Sequence, residues 1–540
     1  MNAWSDPGEF EAVARTTNVV NLDALIKRAD LAEIGEASDD IPTLYINGLE
    51  PKGLLYPALR KPDFQRETAV WSPEQVSDLI ATFLRRELIP AVILWRSGKH
   101  VFVVDGAHRL SALIAWVHND YGDGTISQDF FGSVLPEDQV KAARRTRDFV
   151  DGTIGSYLEH RDAIERPDRA RPEVLERAQR FGWQNIEVQW IRGADHAKAE
   201  KSFFRINQGG TKIEPTEQRI LLARTSATAL ASRAILRGGS GHNYWDKFSA
   251  ATQRRIEELG REIFALMFNP NIEQPIRTLD LPMAGQGYGP HALPFVFDLV
   301  NIANKVQVAD SSNKRVKEED GFIDDLDGSE TVKYLTEVRR LLWRFCSNNP
   351  SSLGLHPVLY FYSGSGVFQP AALLSFVVLM KEWETADYRN FVEVRSQFEE
   401  FLLANRNITE AIRKLGTGNR SRPRIIGLYR IIINQLREGK TSAEVANALR
   451  ETKDYGFLID ASDEAPPMLA LDGGSFSRET KGAAYIAEAL PHAQKCPSCG
   501  GLMHRNGMQV GHRRHRRDGG SGRQDNAMMQ HPFCNSTVHN

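Results

Sequence analysis

The chain has 540 residues, of which 41% are hydrophobic and 25% charged. That length exceeds what one hydrophobic core organises, so roughly two to four domains are expected. The composition is that of a globular chain and excludes collagen-like or low-complexity classes. The net charge is −2, so any attraction to nucleic acid has to come from a local patch.

The first residues include Asp6, Glu9 and Glu11 and lack a basic region followed by an apolar one, so no secretory signal is read there. Residues 1–44 read as a polar, weakly patterned extension. From Tyr45 the signals sharpen. Ser72-Pro73-Glu74-Gln75 reads as a capping box with Pro at the first helical position. Val76, Leu79, Ile80, Phe83 and Leu84 follow at helical spacing. Ala91 to Trp95 and His100 to Val104 read as strands, with Ser97-Gly98 as the turn between them. Asp105-Gly106-Ala107-His108-Arg109 comes next, at a strand-to-helix turn, and Leu110, Leu113, Ile114 and Val117 mark one face of the helix. Ile186 to Ile191 is a further strand, and a helical stretch ends at Phe203 to Asn207 before Gly209-Gly210-Thr211.

Residues 226–459 are mostly helical in pattern, for example Arg254 to Met267 and Tyr388 to Leu403. The longest apolar run, Ala371 to Met380, is too short to span a bilayer and reads as a buried core helix. Lys305 to Ser329 reads as a loop. Pro466-Pro467 and Gly473-Gly474 mark residues 460–491 as a linker. Residues 492–540 form a last module.

Three of the four cysteines lie in that module, and Cys346 stands alone. Cys496 and Cys499 form a C-x-x-C knuckle, and His531 and Cys534 form H-x-x-C. Thiolate and imidazole are the ligands Zn²⁺ prefers, and a closed set of four marks a structural site. Such a small module buries little apolar surface, so the metal would supply much of its folding energy. The alternative is two unrelated knuckle-like fragments. From Lys495 onward seven Lys and Arg face two acids, Asp518 and Asp525. That balance suits phosphate contacts, or is a solvated basic end.

Between the knuckles lie Val510-Gly511-His512, Asp518-Gly519-Gly520 and Asp525-Asn526, with Cys534-Asn535 and His539 after them. This order resembles the HNH (ββα-metal) nucleases over the whole module. Cutting a phosphodiester needs a base to activate water and a divalent cation to stabilise the charged transition state. The resemblance implies His512 as general base and Asn526 as the hydrogen-bond partner that orients its ring. It further implies Asn535 and His539 facing a catalytic Mg²⁺ or Mn²⁺ distinct from the zinc, with His539 as its ligand. The family usually carries Asp, His or Glu before the catalytic His, and here that residue is Gly511. Either His515 or Asp518 substitutes as ligand, or the module binds DNA without cutting.

Asp105 to Arg109 places backbone N–H groups at a helix N-terminus, a favourable setting for an anion, with Arg109 as a bidentate donor. Taken alone the string equally fits a capped helix start with an exposed Arg. Together with Phe64-Gln65-Arg66, Trp71, Arg205 to Thr211 and Glu217, it resembles the ParB-like domain of GmrSD-type modification-dependent restriction systems. It is also similar to phosphorothioate-sensing defence proteins of the SspE type. The likeness covers residues 45–225, and Ala107 stands where those relatives carry Gln. It implies binding and hydrolysis of GTP or another nucleoside triphosphate by Gln65, Arg66, Asp105, Gly106, His108, Arg109 and Asn207. There is no Walker A string.

The expected architecture is therefore α+β and multidomain. It comprises a ParB-like α/β domain (45–225), a helical middle (226–459) and a small zinc-stapled ββα-metal domain (492–540). The expected function is a cytoplasmic, modification-sensing, nucleotide-regulated DNA endonuclease. Its partners would be DNA, modified phage or host DNA included, and a nucleoside triphosphate, with no membrane; an oligomer is compatible with the sequence. A nucleotide-dependent DNA-binding protein without cleavage is the second reading.

Overall fold

The computed structural model describes residues 19–29, 42–62, 71–132, 135–180, 184–192, 200–203, 205–206, 214–288, 291–307, 321–406, 408–415, 421–460 and 476–537. Phe64-Gln65-Arg66, the Asn207 to Thr211 segment and His539 lie outside the described residues. Among the described residues the protein is α+β, mostly helical, with one mixed six-stranded sheet and one small hairpin.

The sheet has the order β1-β3-β5-β4-β6-β2. Its strands are β1 (Arg28–Ala29), β2 (Thr43–Tyr45), β3 (Leu59–Pro62), β4 (Val92–Ser97), β5 (His100–Asp105) and β6 (Asn185–Trp190). β4 and β5 form an antiparallel hairpin, while β3 runs parallel to β5 and β6 parallel to β4. The central strand β5 is apolar on both faces because both are covered. Val101 and Val103 join one core, Phe102 and Val104 the other, as a period of two requires. Helix α1 (Pro73–Leu84) starts at the expected capping box, with Ser72 Oγ accepting from the Gln75 N–H at 3.3 Å and Gln75 Oε1 from the Ser72 N–H at 3.0 Å. Helix α2 (Ala107–His118) buries Leu110, Leu113, Ile114 and Trp116 in the same core.

Part of the presumed extension belongs to this domain. Val20, Leu22, Leu25 and Ile26 are core residues, β1 pairs with β3, and β2 pairs with β6. A two- or three-residue edge strand carries too few side chains to show a period, which is why 1–44 reads as unpatterned.

The helical middle comprises α3 (Ala227–Leu236), α4 (Ala250–Phe268), α5 (Ala292–Asn304), α6 (Ser329–Trp343), α7 (Pro370–Glu382), α8 (Thr385–Ala404) and α9 (Arg422–Arg437), together with shorter helices. Helix α7 contains the long apolar run and lies in the core with Phe376, Val377 and Met380 fully buried. The stretch read as a linker also holds structure. Ser477 caps α10 (Arg478–Ala489), and Gly482, Ile486 and Leu490 recur every four residues on its buried side. The Pro466-Pro467 and Gly473-Gly474 pairs lie outside the described residues.

Among the described residues, the C-terminal module shares its core with the helical middle. Cys496, Leu502, Met503, Phe533 and Cys534 belong to the same apolar cluster as the helical middle. Within the module, β7 (Gln509–His512) pairs antiparallel with β8 (Ala527–Gln530), and the short helix α11 (Pro532–Thr537) follows directly.

Candidate metal centre and adjoining sites

Cys496, Cys499, His531 and Cys534 come together, with one potential ligand atom from each lying within 4.8 Å of all the others. The knuckle is shaped by its backbone. The Gly501 carbonyl accepts from the Cys496 N–H at 2.8 Å, the Cys496 carbonyl accepts from the Gly500 N–H at 2.8 Å, and Gly500 takes φ +71°. His531 is oriented for ligation. Its Nε2 faces the Leu502 carbonyl at 3.0 Å and so carries the proton, which leaves Nδ1 as the lone pair turned toward Cys499 Sγ at 3.3 Å. Burial pushes the imidazole below its ordinary pKa and keeps it neutral, the form a metal needs. Hydrogen bonds from Cys499 and Cys534 pull the Cys496 thiol far down, and the shared site pushes Cys534 up. This Cys₃His set fits a structural zinc, whose ligands it would supply in full.

Sequence reasoning missed the residues behind this cluster. Arg395 of α8 is fully buried. It donates from Nη1 to the Leu353 carbonyl, from Nη2 to the Gly354 carbonyl at 3.1 Å and from Nε to Glu399 Oε1 at 2.7 Å, and Nη1 also lies 3.2 Å from His531 Nδ1. Glu399 accepts from Tyr360 Oη at 2.8 Å and from the Leu502 N–H. The visible signal was an Arg and a Glu four apart on the otherwise apolar face of Phe391, Val394 and Phe398.

His512 ends β7, is half-buried and sits opposite Ala527. Asn526 was expected to hold the His512 ring, and it straps the connecting loop instead. Its Oδ1 accepts from the Arg514 N–H at 2.7 Å, and its Nδ2 donates to the Arg514 and Ser521 carbonyls at 3.0 and 2.7 Å. The reason is register: Asn526 precedes β8 and faces the loop backbone across the hairpin. The loop presents Arg513, Arg514, Arg516, Arg517 and Arg523 to solvent. Asp518 is exposed beside Arg517, and His515 is half-buried.

Asn535 is tied into a chain of amides rather than left free. It accepts from Gln530 Nε2 at 2.9 Å and donates to Gln509 Oε1 at 3.1 Å. Gln530 in turn accepts from Ser498 Oγ at 2.9 Å, and Gln509 donates to the Asn348 carbonyl at 2.5 Å. A Cβ at Gly511 would overlap the Gln530 amide and come within 2.6 Å of Asn535 Oδ1.

In the N-terminal domain, Asp105 closes β5 and Gly106 turns the chain into α2 with φ +92°. A Cβ there would lie 2.6 Å from Val92 Cγ1, so the turn needs Gly. Arg109 reaches back to Asp105 Oδ2 at 2.7 Å and to the Ala91 carbonyl at 3.3 Å. His108 packs on Trp71 with ring centroids 5.6 Å apart. Asp105, Gly106, His108 and Arg109 thus share one turn.

No helix among the described residues is long and apolar enough to cross a membrane. No curated protein and no solved structure matches the chain. Residues 49–224 match the family model of the N-terminal domain of GmrSD restriction endonucleases.

Proposed function

We propose that the protein is a modification-sensing, nucleotide-regulated DNA endonuclease of an anti-phage restriction system. One observation carries this reading. A GmrSD-type N-terminal domain shares its chain with a hairpin-and-helix module in which His512 ends a strand beside a loop of exposed arginines. The N-terminal domain is ParB-like in this reading. Asp105, Gly106, His108 and Arg109, with Gln65, Arg66 and Asn207, bind and hydrolyse a nucleoside triphosphate, GTP among the candidates. Arg109 leaves Asp105 to take a phosphate oxygen.

In the C-terminal module, read as an HNH domain, His512 is the general base. It takes a proton from water, the water oxygen forms a bond to phosphorus, and the phosphorus–oxygen bond to the leaving strand breaks. The departing oxygen then takes up a proton. The loop arginines hold the flanking phosphates, and Asn526 keeps that loop in place. A bound Mg²⁺ or Mn²⁺, with His539 as its ligand, would stabilise the charge on the transition state and the leaving oxygen. Asn535 acts through the amide chain, by fixing the hairpin against α11.

The test is plasmid cleavage with Mg²⁺ or Mn²⁺, with and without GTP or ATP, on modified and unmodified DNA. Wild type should nick or linearise the plasmid and His512→Ala should not, with DNA binding retained in both. A second reading, DNA binding without cleavage, is favoured by Gly511. Gln530 and Asn535 fill the space that a metal-binding side chain at that position would occupy. Retained binding with no cleavage by wild type under any condition decides for it.

A further inference from the structure

The four cysteine and histidine ligands all come from the C-terminal module, yet the cluster they form is completed from elsewhere. Around Zn²⁺, three thiolates and one neutral imidazole leave one net negative charge. Burying that charge next to the carboxylate of Glu399 is unfavourable without a cation between them. Arg395 is that cation. It bonds Glu399 on one side, touches His531 Nδ1 at 3.2 Å on the other and interacts electrostatically with the Cys499 sulfur.

The surroundings are built to admit it. A side chain at Gly501 would collide with the Arg395 guanidinium. Gly354 takes φ +61°, and a side chain there would overlap His531 and the Gly507 carbonyl. The Leu353 and Gly354 carbonyls that receive the guanidinium lie in the loop before Pro357. The backbone of that loop also meets α11, with the Ser352 carbonyl accepting from the Phe533 N–H at 2.9 Å. Arg395 therefore ties the knuckle, the 353–354 loop and α8 into one unit.

We propose that Arg395 is a positioning residue of the metal centre, and that the centre belongs jointly to the helical middle and the C-terminal module. This rests on the reading of the Cys₃His cluster as a zinc site. Metal occupancy then orders the helical middle as well as the hairpin. The hairpin is held through β8, whose last residue, Gln530, precedes the ligand His531.

Two measurements test this on the full chain. The first is zinc competition against a chromophoric chelator, comparing wild type with Arg395→Met/Glu399→Gln. That pair removes both charges together, while the amide oxygen can accept from the Leu502 N–H and the amide NH2 can donate to Tyr360 Oη. The double variant should lose zinc affinity by about 10–100-fold, the usual effect of removing an outer-sphere partner. Affinity within twofold of wild type overturns the proposal. The second needs no variant. Hydrogen exchange of wild type before and after zinc removal should show lost protection in α8 around Arg395 and in residues 353–356. Lost protection confined to residues 492–537 overturns the joint centre but leaves the zinc reading intact. Purified protein with no zinc at all sinks that reading, and the assignment of Arg395 with it.

Discussion

At the scale of single residues, the hairpin turns on the pair Gly511 and Gln530. The Gln530 side chain crosses under Gly511 to reach Asn535, so the glycine is required by packing and not by backbone conformation. Gly511→Ala should destabilise the module by about 1–3 kcal/mol through overpacking. Gln530→Ala removes the nearer of the two obstructions, and the double variant should be more stable than the sum of the two single losses. A double-mutant cycle by chemical denaturation measures this, and simple additivity would refute the account. Gln530 did not stand out in the sequence. Gly511 was read only as a missing ligand, because the side chain that fills its space comes from the partner strand.

At the scale of elements, the seam between the C-terminal module and the helical middle is lined by buried histidines. His504 accepts from the Asn506 N–H, contacts Cys346 Sγ at 3.3 Å and packs edge-on to His356. Asp280 lies 3.9 Å from its Nε2, and Arg505 faces the same carboxylate. Burial pushes the His504 imidazole down to about 4, and burial holds His356 well below its ordinary range. The unfolded chain binds these protons near pH 6.5, so between pH 6.5 and 4 it carries more protons than the folded chain. Stability is therefore complete above about pH 6.5 and falls as the pH drops through that window. The His504 share of the loss should be about 2 kcal/mol between pH 7 and pH 5. Urea melts of wild type and His504→Gln at both pH values isolate it. An identical pH dependence in the two proteins would exclude His504 as the source.

At the scale of the whole molecule, the sheet domain meets the helical middle through a buried charge cluster. Asp23 bonds Arg28 at 3.0 Å and Lys61 at 2.6 Å, and Arg237 reaches it from the end of α3 at 3.2 Å. Burial alone would raise the Asp23 carboxyl, and the three cations override it, holding it well below the usual carboxylate range. Burial pushes Lys61 down to about 8. Asp23→Asn leaves the cations crowded and poorly compensated and should cost about 3–5 kcal/mol. Equilibrium unfolding measures it, and a loss below about 1 kcal/mol would show that other groups carry the seam. Arg237 also packs with Arg233 on the Tyr244 ring, which adds to the same seam.

Features whose signals are local were legible along the chain. The capping box at Ser72, the β4–β5 hairpin, the turn at Gly106 and the two metal knuckles are each written within a few consecutive residues. Their geometry depends on neighbours along the chain, as spacing and residue type record. Tertiary structure decided what depends on residues far apart. It placed part of the extension in the sheet, turned part of the linker into α10 and gave Asn526 the loop backbone as its partner. It also set Arg395 behind ligands more than a hundred positions away. A buried ion pair on a helix looks, in sequence, like any surface pair at the same spacing. Only the packing of α8 against the knuckle removes it from water and makes it part of the centre.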